Sequence, residues 1–91
     1  MSEYLKQIEH KIKKNISLEE IKIIDNSSKH AGHKFYDKSK FHLSLQIKSK
    51  YLNQKDKLSA QREIFKVLKD DLKEKIHALE INIKKELKNF F

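Results

Sequence analysis

Between Gln61 and Asn82 the hydrophobic period of this chain changes, and that change limits the folds open to it. Ile64, Leu68, Leu72 and Ile76 fall four apart, with Phe65 and Val67 beside them, which is one apolar stripe at helical spacing. Leu79, Ile81 and Ile83 then alternate with Glu80, Asn82 and Lys84, the two-residue period of a strand with one buried face. A long helix therefore runs directly into a strand, and the switch falls on Ile76-His77-Ala78-Leu79. A histidine at such a junction is held by two packed elements yet can still face solvent or a partner. His77 is accordingly the first candidate functional residue. The alternative is a structural role, with the imidazole satisfied by backbone carbonyls.

The remaining length bounds what can surround this unit. Ninety-one residues are enough for one small core and too few for two, so residues 1–91 read as a single domain. The chain has no cysteine, which excludes disulfides, thiolate metal sites and any cluster held by its own sulfur. No apolar run approaches the roughly 20 residues that span a bilayer, so no membrane role is expected. The opening MSEYLKQIEHK has no apolar signal-peptide core, and a cytoplasmic protein is expected.

A net charge of +8 invites a nucleic-acid reading, and its distribution says where to look. Residues 29–57 carry an excess of +6, while the long helix is nearly balanced by Asp70, Asp71 and Glu74. Lys48, Lys50, Lys55 and Lys57 are the candidate phosphate contacts. Arg62, the one arginine, joins them, although a pairing with a carboxylate or carbonyl suits it as well.

Taken in order, Ser2 caps a first helix whose apolar positions are Leu5, Ile8, Ile12 and Ile16. His10 lies on its surface. Ser17 and Glu20 match a capping box, but the β-branched Ile21, Ile23 and Ile24, ending at Asp25-Asn26-Ser27-Ser28, predict a strand instead. Residues 26–40 are polar, lack periodicity and hold the only glycine, Gly32, which predicts a long functional loop containing Phe35 and Tyr36. Phe41, Leu43, Leu45 and Ile47 alternate with His42, Ser44, Gln46 and Lys48, a strand with His42 on its solvated face. SKYLNQKDK turns the chain, Ser59 is the expected cap of the long helix, and Lys85–Phe91 suit a short final helix. The expected fold is α+β, with strands near 20–25, 41–48 and 78–83 in one mixed sheet. Leu43, Leu45, Ile64, Leu68, Leu72, Leu79 and Ile81 should be buried together.

Asp25-Asn26-Ser27-Ser28-Lys29-His30-Ala31-Gly32-His33, Phe41 opening a strand, Ala60-Gln61-Arg62-Glu63-Ile64-Phe65 and Ile76-His77-Ala78-Leu79 stand in an order and spacing that resembles the BolA family. The resemblance covers Leu5 to Lys88. Two positions depart from it. The family's Arg-His-Arg opening of the long helix is Ala60-Gln61-Arg62 here, and the glycine of the preceding turn is Asn53, a residue able to take a left-handed conformation.

The resemblance implies a KH-like (type II) α-β-β-α-β(-α) sandwich, its three-stranded mixed sheet covered by helices on one face. It also implies a role beside a monothiol glutaredoxin in iron–sulfur cluster trafficking or in iron or redox regulation. By position, His77 and the loop histidine His30 would be cluster ligands, with His33 as the alternative loop ligand. Two imidazoles can hold one iron of a [2Fe-2S] cluster while thiolates hold the other. A chain without cysteine supplies no thiolate, so a glutaredoxin cysteine and glutathione would have to, and the isolated chain would bind no cluster. Alone it would be a monomer or weak homodimer. The competing class is a DNA-binding transcriptional regulator acting through the basic segment and the helix pair. RNA binding in the KH manner lacks its Gly-x-x-Gly clamp, since one glycine cannot form it. An enzyme is not expected, because no nucleophile–base–orienter set or phosphate-cradling loop is visible.

Overall fold

Strict alternation over Phe41–Lys48 produces β2, the central strand of a three-stranded sheet in the order β1-β2-β3. The structure is a computed structural model describing residues 2–27 and 40–85. On one face of β2, Leu43, Leu45 and Ile47 are fully buried. β1 (Glu20–Asp25) pairs antiparallel with one edge of β2, and β3 (Ile76–Lys84) pairs parallel with the other. A parallel neighbour demands a crossover of a dozen or more residues. Residues 49–75 supply it as α2 (Lys50–Asn53), α3 (Lys57–Val67) and α4 (Lys69–Glu74). The expected α+β architecture with one mixed sheet is what forms.

The helices close over the apolar face of the sheet. α1 (Glu3–Asn15) starts where Ser2 Oγ accepts from the Leu5 amide, and buries Leu5, Ile8 and Ile12. Ile16 is buried just beyond its end. These residues share one core with Leu43, Leu45, Ile47, Leu52, Ala60, Ile64, Leu68 and Ile76. Leu72, Leu79 and Ile81, expected in the centre, are half-buried at its margin. β1 forms as a strand, and the residues just before it are tied to the segment that follows β2. Ser17 O accepts from Ser49 Oγ, and the neighbouring Glu19 carboxylate accepts from the Lys50 amide.

Four local expectations are corrected. The long helix is two helices, broken at Leu68 (φ −100°, ψ 16°), which leaves the α region while its side chain stays buried. Ile76 belongs to β3 rather than to the helical stripe. The cap of α3 is Asp56, not Ser59: the Asp56 carboxylate accepts from the Ser59 amide at 2.8 Å and from the Ser59 hydroxyl at 3.1 Å. These bonds, the amide first, hold the Asp56 carboxyl below the usual carboxylate range, with Arg62 contributing. The expected turn after β2 contains the helical residues of α2, capped by Ser49, so Asn53 is helical rather than left-handed. Its side-chain amide instead donates to Ser49 O and Lys84 O, tying α2 to the tail of β3. The final helix expected at 85–91 falls largely outside the described residues.

Candidate metal centre at the head of β3

β3 begins with an irregularity that places its histidine. Phe41 pairs with Ile76, but the next residue of β2, His42, pairs with Ala78. His77 is therefore an extra residue on β3, a β-bulge of the kind that re-aims a side chain beside functional sites. The bulge explains how one sequence satisfies two periods. Ile76 stays on the core face as the end of the helical spacing, and Leu79, Ile81 and Ile83 still reach that face as a strand. His77 is left exposed.

The corner carrying His77 is braced. The Phe41 amide donates to Lys75 O at 2.8 Å, which starts the pairing. Tyr4 stacks on Phe41 with centroids 4.9 Å apart, and Lys75 Nζ stands 5.1 Å from the Tyr4 ring centroid. The Tyr4 hydroxyl donates to Asp71 Oδ1 at 2.9 Å, while Lys11 Nζ donates to Asp71 Oδ2 at 2.8 Å. Burial first, and then the bond to Asp71, push the Tyr4 phenol above the ordinary tyrosine range. The start of α1, α4 and the head of β3 are thereby locked together.

Beside His77 lies a residue that sequence reasoning misplaced. His42, expected on a solvated face, is 7% exposed, and its ring centroid is 5.1 Å from that of His77. Alternation assigned it to the correct side of the strand but could not show that this side is covered. Its amide donates to Ser27 Oγ, and the Asn26 amide donates to His42 O. The Asn26 side chain adds a bond to Ser44 Oγ. The first residues of the predicted loop are thus pinned to β2 next to the two imidazoles. His30 and His33, like Phe35 and Tyr36, lie outside the described residues. Among those described, no group of three or more His, Cys, Asp or Glu side chains could hold a metal ion by itself.

This order of elements, with the motif Ile76-His77-Ala78-Leu79 at the bulge, decides the family. A family model described as BolA-like protein matches residues 12–87. The chain belongs to the BolA-like family. The BolA domain of SufE1 from Arabidopsis thaliana matches with TM-score 0.78 at 32% identity, over 93% of this chain and 94% of that one. BolA1 from Arabidopsis thaliana matches with TM-score 0.78 at 23% identity, over 99% of this chain and 100% of that one. BolA1 from Mus musculus shares the fold at TM-score 0.74 and 22% identity, over 93% and 67%. No curated protein matches this chain.

The candidate nucleic-acid lysines of this BolA-like chain divide between two hollows. Lys50, Lys55 and Lys57 line a groove of about 810 Å³ with Lys85, between the α2–α3 turn and the tail of β3. Lys48 lines a separate hollow with Lys13, Lys22 and Lys84, where Glu19 and Glu20 also stand. Arg62 lines neither. Lys55 is partly engaged, with Nζ 3.8 Å from a Glu63 oxygen and 5.1 Å from the Tyr51 ring centroid. Among the described residues no helix is long and apolar enough to cross a membrane.

Proposed function

We propose that this chain is the histidine-bearing partner of a monothiol glutaredoxin, lending imidazole to a shared [2Fe-2S] cluster in iron–sulfur trafficking or regulation. The observation carrying this reading is the exposed His77, raised on a bulge and braced by the Tyr4–Asp71–Lys11 network. The donor set fits half of such a site. This chain offers ring nitrogens and no thiol, so the thiolates come from the glutaredoxin cysteine and glutathione. A bound cluster would supply electron storage or be the cargo itself. The chain's own residues fix the orientation of His77 and keep it accessible. His30 and His33 are further donors in this reading.

Anaerobic co-purification with a monothiol glutaredoxin, followed by visible absorption and circular dichroism, tests this directly. The expected result is a mixed complex whose cluster spectrum differs from that of the glutaredoxin alone. Failure to form the complex, or an unchanged spectrum, contradicts the reading.

One observation favours a second reading, binding of DNA in gene regulation. The groove lined by Lys50, Lys55, Lys57 and Lys85 has no carboxylate among its described lining residues, which also include Leu52, Ala60, Ile81 and Ile83. Binding there would be strongly salt-dependent. No measurable affinity at about 50 mM salt would remove this reading, because the electrostatic contribution is large under those conditions.

A further inference from the structure

We infer that the outer edge of β3 takes an extended acidic segment of a partner protein as a fourth strand, seated over the lysine-lined groove at the strand's tail. This edge is independent of the metal reading at the head of the strand. β3 ends the sheet, and among the described residues no strand pairs with its far side. The Asn26 amide donates to His42 O and the Phe41 amide to Lys75 O. β2 therefore turns the backbone of its even-numbered residues to β1 and that of its odd-numbered residues to β3. With Leu45 opposite Ile81, the bonds of Leu45 fall on the neighbours of Ile81 and not on Ile81 itself. Leu79, Ile81 and Ile83 are thus the residues of β3 whose N–H and C=O groups face outward, the arrangement that lets an edge strand accept another.

The groove beside this edge selects the kind of segment that fits. Its lining includes Ile81 and Ile83, which pack toward the core face, and Asn82, which alternation puts on the other face. A hollow that touches both faces opens along the edge itself. Lys50, Lys55, Lys57 and Lys85 also line it, with no carboxylate among the described lining residues. Lys50, Lys57 and Lys85 make no ion pair within the described chain. An incoming strand would set alternate side chains against Ile81 and Ile83 and bring carboxylates to the ammonium groups. A second copy of this chain fits poorly, because two β3 tails would meet with Lys84 and Lys85 on both sides, in a chain of net charge +8. Nucleic acid would answer the lysines but offers no ladder for the outward N–H and C=O groups. The edge of β1 lacks this selectivity, since Glu19 and Glu20 stand among the lysines of the hollow beside it.

A short synthetic peptide of alternating glutamate and valine, titrated into the isolated full chain at about 50 mM salt, tests this. In amide proton–nitrogen spectra, Leu79, Ile81 and Ile83 should shift together and gain protection from hydrogen exchange as the peptide binds. Lys50→Gln with Lys57→Gln should weaken binding by roughly three- to tenfold. The same peptide N-methylated at every amide keeps its charges but cannot pair as a strand, and it should leave the exchange of these amides unchanged. Equal protection by the N-methylated peptide overturns strand addition. A thymidine oligonucleotide that moves these amides at lower concentration than the peptide overturns the protein partner in favour of single-stranded DNA. Shifts of Leu79, Ile81 and Ile83 on concentrating the free chain place a second copy on the edge and overturn the assignment, as does an edge that ignores the peptide.

Discussion

The two ends of β3 present opposite chemistry on one strand. At its head, His77 stands on a bulge beside His42, with Tyr4, Asp71 and Lys11 bracing the corner. At its tail, Ile81, Asn82 and Ile83 form one wall of a lysine-lined groove, and Asn53 ties Lys84 O to α2. The head offers ring nitrogens in a braced frame, which suits a metal. The tail offers ammonium groups beside apolar side chains, which suits an extended polyanion. The two lie at opposite ends of a nine-residue strand. A single family membership is thus compatible with two functions, and variants at one end should leave the other intact.

The largest expected effect removes the comparison altogether. Ile64 is fully buried in the one core, so Ile64→Ala should cost about 2–5 kcal/mol in denaturant unfolding and impair head and tail together. A variant that lost only one end would show the two to be independent units. Next in size is the brace. Tyr4→Phe removes the bond to Asp71 and should cost roughly 1 kcal/mol, with amide shifts confined to the head of β3. The raised Tyr4 pKa carries a signature of its own. The stability it contributes is fully present below about pH 10, where the unfolded phenol stays protonated, and is lost as pH rises toward the folded value. Alkaline unfolding of Tyr4→Phe should lack that component, and identical profiles would show that the phenol is not coupled to folding.

Asp56 is expected to act more weakly and at the tail alone. Its folded pKa is depressed, so its contribution is present above about pH 4 and fades as the carboxylate protonates at lower pH. Asp56→Ala should therefore lower the melting temperature modestly at neutral pH, less at pH 3, and leave the head's spectra untouched. The smallest effect on stability belongs to Lys50→Gln with Lys57→Gln, within about 0.5 kcal/mol. Any salt dependence of DNA affinity should nonetheless flatten by roughly one unit of slope per lost phosphate contact. An unchanged slope would move the contact to the hollow containing Lys48.

Most of this architecture was legible in residue patterns. The alternation at Phe41–Lys48 and the isoleucines of β1 mark strands whose faces the structure reproduces. The head of β3 was only partly legible, and the reason is the bulge. Because it inserts His77, Ile76 satisfies the helical spacing behind it and the core face of the strand ahead. Periodicity alone cannot choose between those assignments. The burial of His42 was hidden for a different reason: alternation reports which side a residue takes, not what lies against that side. The break at Leu68 carries no glycine or proline to announce it. His42 could have been suspected from parallel pairing, which brings the first residues of two strands together once the sheet order is known.

The account rests on His77 as the exposed ligand of the centre, and one substitution tests that most directly. His77→Ala, combined anaerobically with a cluster-loaded monothiol glutaredoxin, should retain the amide spectrum of the folded chain and abolish the change in visible circular dichroism that the wild type causes. Lys50→Gln with Lys57→Gln, run beside it, should leave that change at full size. If His77→Ala still produced the wild-type spectrum, the histidine would be a structural residue of the bulge, and the head of β3 would not be a metal centre.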